Sequence, residues 1–195
     1  MKPKLSRILP VIMFALAIWQ LGQGSYIYAK AQLAQYLIAS AWQKSDGDST
    51  QIKPWSWADM WPVARLVVPQ HKIDQYVLAG ASGESLAFGP GYVFASAAPT
   101  TSGNTLIAAH RDTHFSFLKE LKKGEVLTIY NQQGQRRDYV VQDMRVVDKD
   151  DIAWINAENY QYQLTLATCY PFNALKAGGR LRYVVRAISQ SAISA

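Results

Sequence analysis

Between Ala64 and Ala187 the chain divides into seven short β-type runs, at 65–69, 74–78, 105–109, 126–130, 138–147, 164–168 and 181–187. Runs this short, separated by turn-rich stretches, predict a mostly β domain of seven or eight strands, a barrel or a sandwich around one core. Asn131-Gln132-Gln133-Gly134 reads as the hairpin turn between two paired strands. Gly80, Gly83, Gly89 and Gly91 mark a strand-poor connection leading to Tyr92, and 115–121 and 151–159 read as short helical insertions. With 49% hydrophobic and 17% charged residues in 195, the chain has the composition of one packed domain plus an appendage and not of a disordered segment.

The appendage is N-terminal. Lys2, Lys4 and Arg7 precede residues 8–29, 22 residues without a charge, close to the roughly 20 a helix needs to cross a bilayer. Basic residues ahead of the apolar run orient the N-terminus to the cytoplasm and the remainder outside. A cleaved signal peptide is the competing reading, because Ala29-Lys30-Ala31 resembles a small-x-small cleavage site; both readings export the rest of the chain. Residues 31–42 carry Leu33, Tyr36, Leu37, Ala41 and Trp42 near helical spacing, an amphipathic stalk. The polar stretch 43–53 makes the linker. The resulting division is a basic tail at 1–7, a transmembrane anchor at 8–29, stalk and linker at 30–60 and a folded domain at 61–195. Trp55, Trp57 and Trp61 are expected to cover one end of the core in preference to forming a sugar platform. The net charge of +6 is scattered, with no contiguous basic and aromatic patch, so nucleic acid is not an expected partner.

Cys169 is the chain's single cysteine. Exported proteins use cysteines in pairs, so a lone one is free and reactive, bonded to another chain, or a buried structural thiol. It ends the 164–168 run, His110 follows the 105–109 run, and Arg182 sits in the 181–187 run, thirteen positions after the cysteine. A free thiol, with a pKa of about 8.5, is only a few per cent ionised at neutral pH and needs electropositive help to attack a carbonyl. An imidazole supplies that help and a proton for a departing amine; a guanidinium neutralises the oxyanion of a tetrahedral intermediate. The Thr168 hydroxyl is placed to orient substrate or thiol. Taken singly, each residue also has an ordinary structural reading.

Thr165-Leu166-Ala167-Thr168-Cys169 matches the TLxTC motif of the sortases, Ala109-His110-Arg111-Asp112 resembles their histidine loop, and Arg182 resembles the strand arginine of an R-x-V-V segment. The chain most resembles the Gram-negative, proteobacterial branch, through His110-Arg111-Asp112-Thr113-His114-Phe115, Cys169-Tyr170-Pro171-Phe172 and Gly178-Gly179. The resemblance implies the sortase closed β-barrel. It also implies a cysteine transpeptidase that cleaves an LPxTG-like C-terminal sorting signal between Thr and Gly through a thioacyl-enzyme. By the same resemblance His110, Cys169 and Arg182 are catalytic, and the partners are substrate proteins with a sorting signal, the membrane, and an amine acceptor, either a peptidoglycan precursor or a protein lysine. The localisation implied is the inner membrane, single-pass, with the catalytic domain periplasmic. Thr168, Ile152 and Trp154 are the expected substrate-binding residues. No cofactor is expected. Some sortases bind calcium, and Asp148, Asp150 and Asp151, with Asp143 and Glu158, are the dense acidic group here, although without the ligand spacing of a calcium loop.

Arg180 lies two positions before Arg182 and hence on the same strand face, so the arginine assignment depends on register. His114 is a second imidazole near His110, and His71 reads as an exposed turn residue. An L,D-transpeptidase would place Gly before the cysteine and Arg two residues after it, where this chain has Thr168 and Pro171. The non-enzymatic alternative is a membrane-anchored β-barrel binding module of the cell envelope. The joint presence of Cys, His and Arg argues against it.

Overall fold

The computed structural model describes residues 3–45, 51–155, 162–174 and 178–189. It divides into two units, one up to Leu37 and one from Ile38 onward. Every described residue of the first unit lies in helix α1 (Pro3–Lys44). From Ile8 it is long and apolar enough to cross a membrane, with a mean hydropathy of 1.5 in its best window and none of that window buried. The anchor and stalk expected as separate segments are one continuous helix. Nothing near residues 29–30 breaks helical geometry, and Ala, Leu, Gln and Lys there all favour it.

The second unit is an eight-stranded closed barrel. Its strands are β1 (Pro62–Val68), β2 (Ile73–Ala79), β3 (Gly91–Tyr92), β4 (Gly103–Ala108), β5 (Val126–Asn131), β6 (Arg136–Asp148), β7 (Tyr162–Tyr170) and β8 (Leu181–Ile188). The order around the barrel is β1-β2-β3-β4-β7-β8-β6-β5, and β5 pairs back onto β1. Strand alternation builds the interior: in β1, Ala64, Leu66 and Val68 are buried while their neighbours are half-exposed. Their fellows in the core include Phe115, Leu118, Ile129, Tyr139, Leu164 and Leu166.

Two pairings are parallel, β2 with β3 and β4 with β7. The first is too short to leave a periodic signature and lies in a region that reads from sequence as a strand-poor connection. It requires glycine at 91, where a Cβ would fall 2.4 Å from the Gly80 carbonyl oxygen. A short helix, α2 (Gly83–Phe88), fills the rest of that connection, capped by Ser82, whose hydroxyl accepts from the Ser85 amide. The expected hairpin is present, with Gly134 at φ +74° and its amide donating to the Asn131 carbonyl. The two helical insertions are single 3-10 turns, Ser116–Lys119 and Ala153–Ile155. Residues 156–161, and with them Glu158 and the end of the second insertion, lie outside the described residues, as does the linker core at 46–50.

The three early tryptophans do not act as one cap. Trp55 stands edge-on to Phe88 at 5.2 Å and joins a satellite cluster of Ile38, Ala58, Met60 and Leu78. Trp61 pairs with Phe94 at 6.3 Å, and Trp57 is 79% exposed. His71 is also not an exposed turn residue: its Nε2 lies 2.8 Å from Glu125 Oε2, with the His71 side chain only 12% exposed.

Candidate active site

β7 is buried along nearly its whole length on both faces, the pattern of a central strand with a parallel neighbour. Leu164, Leu166 and Thr168 point inward, so Gln163, Thr165, Ala167 and Cys169 point outward. The antiparallel register with β8 sets Cys169 directly opposite Arg182 and Ala167 opposite Val184. Cys169 is partly exposed. On the other side, Ala108 of β4 is in register with Ala167. His110 and Cys169 are each two residues beyond that pair on parallel strands, so both emerge at the same end of the barrel.

His110 is exposed, but the backbone beside it is not free. The Ala109 amide donates to the Ala167 carbonyl at 3.2 Å, and Thr168 Oγ1 donates to the Ala109 carbonyl at 2.7 Å. Thr168, expected at the substrate, has its hydroxyl engaged within the barrel. It is 3% exposed, faces inward, and uses its hydroxyl to hold the strand end that leads into His110.

The register separates the two arginines. Arg180 precedes the first residue of β8 and forms ion pairs with Asp148 at 3.2 Å and Asp150 at 3.1 Å. Arg182 has no acidic partner among the described residues. Its Nη1 donates to the carbonyls of Gly179, at 2.7 Å, and Leu181, at 2.9 Å, which holds the guanidinium beside its own strand start. Burial, and to a lesser degree the charge of His110, hold His114 below the usual imidazole range. His114 is thus held toward its neutral form.

The outer face of β4, β7 and β8 continues away from Cys169 as an apolar floor of Leu106, Ala167 and Val184, flanked by Val93 and Val147. Trp154 and Ile155 pack on it, whereas Ile152 is 66% exposed and turned to solvent. Of the two residues expected to line this surface, only Trp154 lies against it. The turn carrying Trp154 is pinned by a chain of hydrogen bonds that the sequence does not announce. Asn104 Nδ2 donates to the Ile155 carbonyl at 2.7 Å, Thr165 Oγ1 donates to Asn104 Oδ1 at 2.8 Å, and Gln163 Nε2 donates to Thr165 Oγ1 at 3.2 Å.

The acidic group is differently engaged. Asp148 and Asp150 pair with Arg180 and Asp143 with Arg145. Among the described residues no three His, Cys, Asp or Glu side chains come together as a cation site would need.

A barrel of this topology, with a strand-end thiol facing a strand-start guanidinium, defines a class that comparison with known proteins makes explicit. Residues 66–190, well over half of the chain, match the sortase domain, and the chain belongs to the sortase family. It is 30% identical over 120 residues to Sortase D of Bacillus subtilis (strain 168), covering 62% of this chain; the match spans about 60% of that curated relative's length. Among solved structures, it superposes on Sortase A from Corynebacterium diphtheriae with a TM-score of 0.62 at 21% identity, covering 83% of this chain and 86% of that one. A Clostridium perfringens Sortase D5 transpeptidase gives a TM-score of 0.64 at 18% identity, covering 82% and 99% respectively. At these identities the structural likeness is one of fold.

Proposed function

We propose that this chain is a membrane-anchored cysteine transpeptidase in which Cys169 is the nucleophile, His110 the proton carrier and Arg182 the oxyanion partner. The observation that carries this reading is the cross-strand pairing of Cys169 with Arg182, with His110 leaving the adjacent parallel strand at the same end. The thiolate of Cys169 attacks the Thr carbonyl of an LPxTG-like sorting signal, and the developing negative oxygen faces the Arg182 guanidinium. The Thr–Gly C–N bond breaks as His110 protonates the departing amine, leaving a thioester on Cys169. An amine acceptor, a peptidoglycan precursor or a protein lysine, then attacks the thioester. His110 takes the amine's proton, the C–S bond breaks, and the thiolate is restored.

The half-buried Trp154 turn, backed by the buried apolar cluster of Leu106, Ala167 and Val184, is the surface proposed to receive the Leu-Pro part of the signal. The hydropathy of α1 supports a single-pass anchor with the barrel on the periplasmic side of the inner membrane. The sequence features around His110, Cys169 and Gly178-Gly179 favour a proteobacterial type of enzyme. The test is mass spectrometry of the full chain in detergent, mixed with LPxTG-type peptides with and without an added amine. The expected result is a thioacyl adduct on Cys169 and an amine-ligated product ending at Thr, both lost in Cys169→Ala. A folded Cys169→Ala protein that still turns over would overturn the nucleophile assignment.

A further inference from the structure

Arg111 follows His110 directly, in an exposed loop, yet its side chain is only 4% exposed. Its Nη1 donates to the Pro171 carbonyl at 2.7 Å and its Nη2 to the Ala174 carbonyl at 2.5 Å, while Nε donates to Asp112 Oδ1 at 3.0 Å. Pro171 and Ala174 belong to one turn, closed by the Ala174 amide donating to the Pro171 carbonyl at 3.3 Å, and that turn begins two residues after Cys169. A guanidinium is removed from water at this cost only when its donors are met. The planar fork meets two carbonyls at once, which a lysine ammonium on a flexible stem does not do in the same way.

We infer that Arg111 is a positioning residue that locks the turn after Cys169 to the turn carrying His110. The inference rests on the proposed roles of Cys169 and His110. Two clamps bracket the exposed imidazole: ahead of it Thr168 holds the Ala109 carbonyl, and behind it Arg111 reaches across to Pro171 and Ala174. Both clamps tie the His110 backbone to the segment that bears Cys169. The ring has little packing of its own to fix it, so the separation of acid and nucleophile is set by these backbone ties. A displacement of about 1 Å between reacting groups costs on the order of 10²-fold in rate.

The test compares wild type, Arg111→Ala and Arg111→Lys as full chains in detergent. The expected result is an acylation rate lowered on the order of 10²-fold in both variants, a KM for the peptide that stays near wild type, and partial rescue of Arg111→Ala, but not of His110→Ala, by added guanidinium. Arg111→Lys with wild-type acylation, or a rise in KM that accounts for the whole loss, overturns the inference. A second readout does not require turnover. With histidine labelled at Cε1, the His110 signal is expected to shift when Cys169 is alkylated in wild type and to lose that response in Arg111→Lys; an unchanged response in the variant overturns the inference. Wild type that shows this coupling but acylates no peptide counts against the proposed reaction and leaves the positioning role supported. If neither variant folds, Arg111 is a determinant of the fold and the inference fails.

Discussion

Cys169 and Arg182 are direct cross-strand partners on β7 and β8, both on the outer face of the barrel. Side chains so placed have Cβ atoms about 4.5–5.5 Å apart, within reach of a carbonyl oxygen bound between them. Arg182→Ala is expected to lower kcat on the order of 10²–10³-fold, the loss typical of removing one oxyanion donor. Arg182→Lys should come close to it, since charge alone does not replace the fork. Arg180→Ala breaks only exposed ion pairs with Asp148 and Asp150 and should leave turnover near wild type. Peptide-cleavage kinetics of the three variants decide the matter; a dead Arg180→Ala beside an active Arg182→Ala would reverse the assignment.

Asn104 supports the surface proposed for substrate binding. Its bond to the Ile155 carbonyl holds the turn bearing Trp154 against the floor, far along the strand from the reacting atoms. Asn104→Leu is expected to raise KM roughly tenfold, the equivalent of about 1.4 kcal/mol, which is the scale of one lost buried hydrogen bond. It should leave kcat within about twofold, because the reacting centre is untouched. Peptide titration measures both, and a fall in kcat at unchanged KM would show that the turn serves chemistry and not binding.

His114 makes stability depend on pH. Its folded-state pKa is lowered by burial and then by the charge of His110, while in the unfolded chain it titrates near about 6.5. Below that value the unfolded state takes up a proton that the folded state resists until its own lower pKa is reached. Stability is complete above the unfolded pKa and falls as pH drops through the window between the two. The melting temperature should therefore decline from pH 7 toward pH 5, and His114→Gln should flatten the decline. An identical acid loss in the variant would assign it elsewhere.

Tyr139 is fully buried, its hydroxyl has no hydrogen-bond partner among the described residues, and burial pushes its pKa up to about 12. An unpaired buried hydroxyl costs about 1–3 kcal/mol. Tyr139→Phe keeps the ring and removes the orphan, so urea denaturation should show equal or greater stability. A loss above roughly 1 kcal/mol would reveal a partner for the hydroxyl.

Much of the barrel is legible in the sequence because alternation and β-branched runs mark strands, and seven of the eight strands are visible as such. β3 is not, since two residues carry no period. The proposed catalytic residues are legible from their motifs and from the strand each one ends or begins. Thr168 shows what a motif leaves out. It adjoins Cys169 in sequence, but neighbours on a strand face opposite ways, and its hydroxyl is bonded to the Ala109 carbonyl. The motif marks Arg111 by its place beside His110 without disclosing its role, and Asn104 leaves no signal; both donate to carbonyls more than 50 positions away. His71 is similar, its partner Glu125 being 54 residues distant.

The parallel union of β4 with β7 has a consequence for the chain's history before it is mature. The union joins Ala108 to Ala167, with β5 and β6 lying between them in the chain and on the far side of the barrel. Such long-range pairing forms late in folding. Until then the strand end that leads into His110 is not joined to the strand that bears Cys169. Topology thus acts as an assembly check: the three residues proposed for catalysis come together only once the barrel is closed.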